Sequence, residues 1–152
     1  HYDEGARAKL GLATEEVSDR QLFASLLEQM HRDQADFTTT FALLSSLADG
    51  PLPADLPQGI SREWLAQWQE RRTREPGKPE EQTARMRKSN PSVIPRNHKV
   101  EEALAAAEIG DMQPLRNLLD AIQQPFEETT ENEPFRGGPP AGCGPYRTFC
   151  GT

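Results

Sequence analysis

The sequence predicts an all-α fold, an irregular bundle of five or six short helices followed by an extended Pro/Gly-rich C-terminal tail. Three observations predict it. Apolar residues recur at three- and four-residue spacing through much of the chain, the signature of helices with one buried face. No stretch alternates with period two, so no sheet is expected, and no repeat of 20 to 50 residues is visible. Proline is 13 of 152 residues, against an average near 5%, and it clusters between the periodic stretches, which keeps each helix short.

The first predicted helix starts at Ser18, which with Gln21 matches a capping box. Leu22, Phe23, Leu26, Leu27 and Met30 then form its apolar stripe. A second follows Asp36, carries Phe37, Phe41, Leu44 and Leu47 on one side, and stops at Gly50-Pro51. Residues 51–59 hold three prolines and read as a loop. Ser61 caps a third helix with Trp64, Leu65 and Trp68 on one face, broken by Glu75-Pro76-Gly77-Lys78-Pro79. A charged helix from Glu80 to Lys88 ends before Pro91, because the residue preceding proline is pushed out of the helical region.

Ser92 to Pro95 should be extended. Two helices follow, Lys99 to Ile109, ending at Gly110, and Met112 to about Gln124. Asp111 is the N-cap of the second, with Leu115, Leu118, Leu119 and Ile122 inward. The expected division is therefore a helical region over 1–124 and a tail over 125–152. The tail is acidic, then rich in Pro and Gly; it cannot build its own core and is either disordered or pinned against something else.

Composition excludes several classes. The formal net charge of −7 argues against broad nucleic-acid binding, which needs clustered cations. No apolar run approaches the roughly 20 residues a membrane span requires. Charge is uneven: residues 1–61 carry four cations against ten acids, residues 62–99 ten against five, and residues 100–152 three against nine. The basic middle is either a solvated helix face or a surface that docks on acidic groups. Two cysteines, Cys143 and Cys150, are too few and too close for a disulfide framework, and a structural zinc site lacks ligands.

No phosphate loop is present, since Arg136-Gly137-Gly138 has neither the Lys-Ser/Thr pair nor a preceding strand. Two segments are less generic. In Asn90-Pro91-Ser92-Val93-Ile94-Pro95-Arg96-Asn97-His98, two prolines stiffen the backbone and three polar side chains sit at a helix entrance. They suit a structural fixture, with Asn97 as cap and Arg96 on a carboxylate or free carbonyls, or a docking motif. In Tyr146 to Thr152, Cys150 is either an inert thiol or one able to exchange disulfides.

These motifs resemble the C-terminal region of the selenoprotein O (YdiU) family. The resemblance rests on Asn90-Pro91, Ile94 to His98, Val100-Glu101, Ala103-Leu104 and Gly110-Asp111. It is joined by Lys9-Leu10-Gly11-Leu12, Asp36-Phe37-Thr38, Trp64-Leu65 and the closing Thr148-Phe149-Cys150-Gly151-Thr152. It implies a kinase-like protein adenylyltransferase that moves AMP from ATP to hydroxyl side chains of protein substrates. ATP and Mg or Mn would belong to a kinase-like core whose motifs are absent here, so no catalytic, cofactor-binding or metal-binding residue is assigned in this segment.

The implied partners are that core, in the same polypeptide, and the parent enzyme's protein substrates. The implied location is cytoplasmic in bacteria and mitochondrial for many eukaryotic members. Cys150 matches the position of the family's terminal selenocysteine or cysteine, which implies a redox link to the core, with a local bridge to Cys143 as the rival. The alternatives are an independent helical interaction module, and a stand-alone hydrolase or transferase built on His31 or His98.

Overall fold

The computed structural model describes residues 2–48, 50 and 54–138. Its elements are seven α-helices: α1 (Tyr2–Lys9), α2 (Asp19–Arg32), α3 (Phe37–Leu47), α4 (Arg62–Thr73), α5 (Pro79–Ser89), α6 (Asn97–Glu108) and α7 (Gln113–Gln123). A 3-10 turn follows at Glu133–Phe135. Among the described residues there is no strand, so the fold is all-α as predicted. No helix of the described residues is long and apolar enough to cross a membrane.

The chain divides into two compact units, one reaching to Ser92 and one starting at Val93. The first unit packs α1 to α5 around a core of Leu10, Leu12, Leu22, Phe23, Leu26, Met30, Phe41, Leu44, Ile60, Trp64, Leu65, Trp68 and Met86. Apolar burial of this extent is the main stabilising term for the unit. The second unit is an α6–α7 hairpin with little apolar burial: Val93, Ala103, Leu118 and Ala121 are its buried apolar residues among those described.

The helix from Tyr2 to Lys9 was not expected, because only Ala6 of its eight residues is buried and Gly5 interrupts it. Its signals are electrostatic and terminal. Asp3 and Glu4 occupy the first turn and Arg7 and Lys9 the last, each sign matching the helix dipole. Gly11, at φ +81°, then closes a Schellman turn, with the Gly11 N–H on the Ala8 carbonyl at 3.1 Å and the Leu12 N–H on the Arg7 carbonyl at 2.9 Å.

The caps fall partly as predicted. The Asp36 carboxylate accepts the Thr39 N–H at 2.8 Å, and the Ser61 hydroxyl accepts the Trp64 N–H at 3.2 Å. Ser18 caps nothing with its side chain. Its backbone is already helical (φ −76°, ψ −15°), which turns the hydroxyl away from the free amides. The next residue, Asp19, accepts the Glu16 N–H at 2.8 Å instead.

In the second unit α6 starts two residues earlier than predicted. Arg96, extended at ψ 134°, holds the N-cap position, and Asn97 is the first helical residue rather than the cap. Gly110 ends this helix as expected. Asp111 accepts the Gln113 N–H at 3.0 Å, so it does cap α7, with Met112 in the boundary position. Of the four leucine and isoleucine residues expected inward on α7, Leu118 is buried, Leu115 and Ile122 are half-buried, and Leu119 is exposed.

The described part of the acidic segment after Pro125 is tied to the start of the unit by the Arg96 guanidinium on the Arg136 carbonyl at 3.2 Å, and is bonded within itself. Arg136 donates to the Thr129 carbonyl at 2.7 Å and to Asn132 Oδ1 at 2.7 Å, and Asn132 is buried.

Candidate functional site

Three of the family-like motifs of the first unit, those that hold Lys9, Phe37 and Asn90, meet at one place, the C-terminal end of α1. A helix end leaves its last carbonyls without intrahelical donors. Here three side chains from distant segments supply them. Asn90 Nδ2 donates to the Lys9 carbonyl at 2.9 Å, Trp68 Nε1 to the Leu10 carbonyl at 2.9 Å, and an Arg85 guanidinium N–H to the Gly11 carbonyl at 2.8 Å. Asn90 Nδ2 also reaches the Ser45 hydroxyl at 3.0 Å, which ties α3 into the same knot.

Lys9 closes the arrangement from the other side. Its ammonium donates to the Ser89 carbonyl at 2.9 Å and to Asn90 Oδ1 at 3.3 Å, and it lies 5.5 and 5.3 Å from the ring centroids of Phe37 and Phe41. Partial burial holds its pKa below the ordinary lysine value. Lys9, Phe37 and Asn90, from three separate motifs, thus form one joint between α1, α3 and the end of α5.

A second polar cluster fastens residues 13–19 to α4. Arg71, buried, donates through Nε to Asp19 at 2.7 Å, through a terminal nitrogen to the Thr14 carbonyl at 3.0 Å, and pairs with Glu75 at 2.8 Å. Glu75 also accepts the Ala13 N–H at 2.6 Å and both the N–H and the hydroxyl of Thr14. Burial pushes the Glu75 pKa up, but the Thr14 hydroxyl, the Ala13 N–H and Arg71 outweigh it, and the net direction is down. The Arg71–Glu75 contact is readable as an i,i+4 pair, whereas Thr14 and Asp19 arrive from 52 to 57 residues away and leave no local signal.

The basic middle segment is largely engaged within the chain. Besides Arg71, Arg72 donates to Gln82 Oε1 at 3.0 Å and lies over the Trp68 ring at 4.8 Å, Arg74 chelates Glu16, Arg62 donates to the Ala54 carbonyl and Lys99 pairs with Glu102.

The structure divides the segment Asn90 to His98. Asn90 and Ser92 are buried in the first unit, and Pro91 is half-buried. In the second, Arg96 is buried and donates to the Arg136 carbonyl at 3.2 Å, one of the two roles open to it; Pro95 and Asn97 are exposed and His98 is half-buried. His31 is exposed in the last turn of α2, in the first unit, whereas His98 belongs to the second. Cys143 and Cys150 lie outside the described residues. Among the described residues no group of three or more His, Cys, Asp or Glu is placed to hold a metal ion. These polar clusters hold segments together; their donors and acceptors are turned on one another.

The same residues belong to a recognised sequence pattern, since the family model described as Protein adenylyltransferase SelO matches residues 1–123. The chain belongs to the SelO family. Its relatives are named protein nucleotidyltransferase YdiU. The one from Geobacillus kaustophilus is 45% identical over 153 residues, covering 100% of this chain and 31% of that protein. Those from Syntrophotalea carbinolica and Agrobacterium fabrum are each 43% identical, covering 98% and 97% of this chain and 30% and 31% of theirs. The chain therefore spans less than a third of the length of the SelO relatives it matches.

Proposed function

We propose that this chain is the C-terminal accessory region of a SelO-type protein adenylyltransferase. It packs on the kinase-like core of the same polypeptide and transfers no AMP itself. The observation that carries this reading is the near-complete match to proteins about three times longer. It is supported by the use of Lys9, Asn90 and Arg96 as internal fixtures rather than as groups facing a ligand.

In this reading ATP and Mg or Mn bind in the core, which moves AMP from ATP to hydroxyls of protein substrates. The bacterial relatives go with a cytoplasmic location. Cys150 carries a redox link: its thiolate and a core cysteine exchange with a small oxidised disulfide, which leaves as two thiols while the tail–core disulfide forms.

Two measurements test the proposal. The purified segment, incubated with labelled ATP and Mg or Mn, transfers no label to protein; robust labelling overturns the accessory reading. In the full-length protein, Cys150→Ser abolishes the non-reducing gel shift of the tail–core link and Cys143→Ser preserves it. A shift lost with Cys143 instead assigns the bridge to that residue.

A further inference from the structure

Helix α7 presents an apolar stripe that the described residues leave uncovered. Its inner face is accounted for, since Leu118 and Ala121 are buried in the hairpin with Ala103 of α6. A second row runs beside it at helical spacing, Met112, Leu115, Leu119 and Ile122, with offsets of three, four and three. Met112 is 43% and Leu119 44% exposed, and Leu115 and Ile122 are half-buried. Three more large apolar side chains of the same unit stand out in solvent: Leu104 on α6, 51% exposed, Ile109 at the hairpin turn, 85% exposed, and Phe126 just past the helix, 49% exposed. A concentration of this kind on a small unit marks a contact surface rather than the scattered exposure every protein shows.

Charge around the stripe describes what covers it. Residues 93–138 carry nine acids and four cations. Of the cations, Arg96 is buried on a carbonyl, Arg136 is clasped by Thr129 and Asn132, and Lys99 is paired with Glu102; the fourth, Arg116, is exposed on α7 itself. The hairpin therefore offers an apolar row in an acidic field, and it fits an apolar surface rimmed by cations.

We infer that the α7 stripe is the docking edge of this chain, and that its occupant is an apolar, basic-rimmed surface on the part of the full-length polypeptide outside this chain. The inference rests on the accessory reading above and names its contact. The full-length relatives supply more than two-thirds of their length as candidate surface.

The test uses the full-length protein with the photo-reactive residue benzoylphenylalanine placed at Leu119, at Asn117 on a different side of α7, and at Lys88 in the first unit. Irradiation at position 119 yields cross-links to peptides outside this chain, at least five times the yield from position 117. Cross-links from 119 confined to this chain, including residues 139–152, or joining two copies, overturn the inference. So does a yield from 119 no greater than from 117. Position 88 separates the two claims. If 119 fails while 88 reaches peptides outside this chain, the accessory reading stands and the α7 assignment falls. If neither position reaches them, both fall. As a second readout, Leu119→Asp raises amide exchange across α7 at least tenfold in the full-length protein and leaves α2 and α4 unchanged; unchanged exchange in α7 counts against the docking edge.

Discussion

Glu75 is the residue on which the first unit's polar interior turns. It gathers two backbone N–H groups, a hydroxyl and a guanidinium on one buried carboxylate. Replacing it by Gln keeps the shape but removes the charge that faces Arg71. Glu75→Gln is expected to lower stability by about 2–3 kcal/mol, seen as a lower denaturant midpoint with unchanged slope. The pH dependence follows from its lowered pKa. The contribution is fully present above the unfolded glutamate value near 4.5, and it is lost as pH falls through the lower folded value. Wild type and Glu75→Gln should therefore converge in stability below that window and stay apart above it. The folded pKa of Lys9 is depressed as well, but its charged form is the protonated one, so here the shift marks a cost rather than a contribution. Holding it charged costs stability at neutral pH, and the cost is relieved as pH rises from the folded towards the unfolded value.

Helix ends distinguish the elements that were legible from those that were not. Asp36 and Ser61 were readable as caps because each precedes an apolar-periodic run in an extended conformation. Ser18 matched the same pattern and failed, since a boundary serine whose backbone is already helical turns its hydroxyl away from the amides ahead of it. Asp36→Ala should lower stability by about 1 kcal/mol and Ser18→Ala by far less, measured by denaturant titration on the two variants side by side. Glycine stops behave similarly. Gly11 and Gly110 both close helices at positive φ, yet an added Cβ would meet Met86 and the Gln82 carbonyl at 3.0–3.1 Å in the first case and nothing within 4 Å in the second. Gly110→Ala should cost about 1–2 kcal/mol for its backbone alone, and Gly11→Ala more, in the same titration. The α1 helix escaped prediction because periodicity needs apolar residues, and its signals are charge order and a glycine stop. Leu119 was placed inward for the converse reason: periodicity says which side of a helix is apolar, not whether this chain supplies the cover.

Across the whole molecule, stability is distributed unequally. Among the described residues the first unit holds two tryptophans, two buried phenylalanines and most of the buried leucines, whereas the hairpin unit buries Val93, Leu118 and two alanines. Native-state amide exchange should therefore be slowest in α2 and α4 and clearly faster in α6 and α7 of this chain; equal protection in both units would contradict that ranking. The all-α class and most helices were readable in the sequence because they depend on local spacing. The joint at Lys9 and Asn90 and the cluster at Arg71 were not, since their partners lie 52 to 81 residues apart and only the fold brings them together. The motif residues were visible as a pattern without their task being visible.

The placement of the indoles has an optical consequence. Both tryptophans of this chain sit in α4, 6.0 Å apart and nearly parallel, with Trp64 Nε1 on the Leu22 carbonyl and Trp68 Nε1 on the Leu10 carbonyl. Indole emission therefore reports the first unit alone: it shifts to the red when α4 leaves the core and is silent when the hairpin opens. A probe of overall helix content records both events. The gap between those two unfolding curves measures the cooperativity between the units directly, without any label.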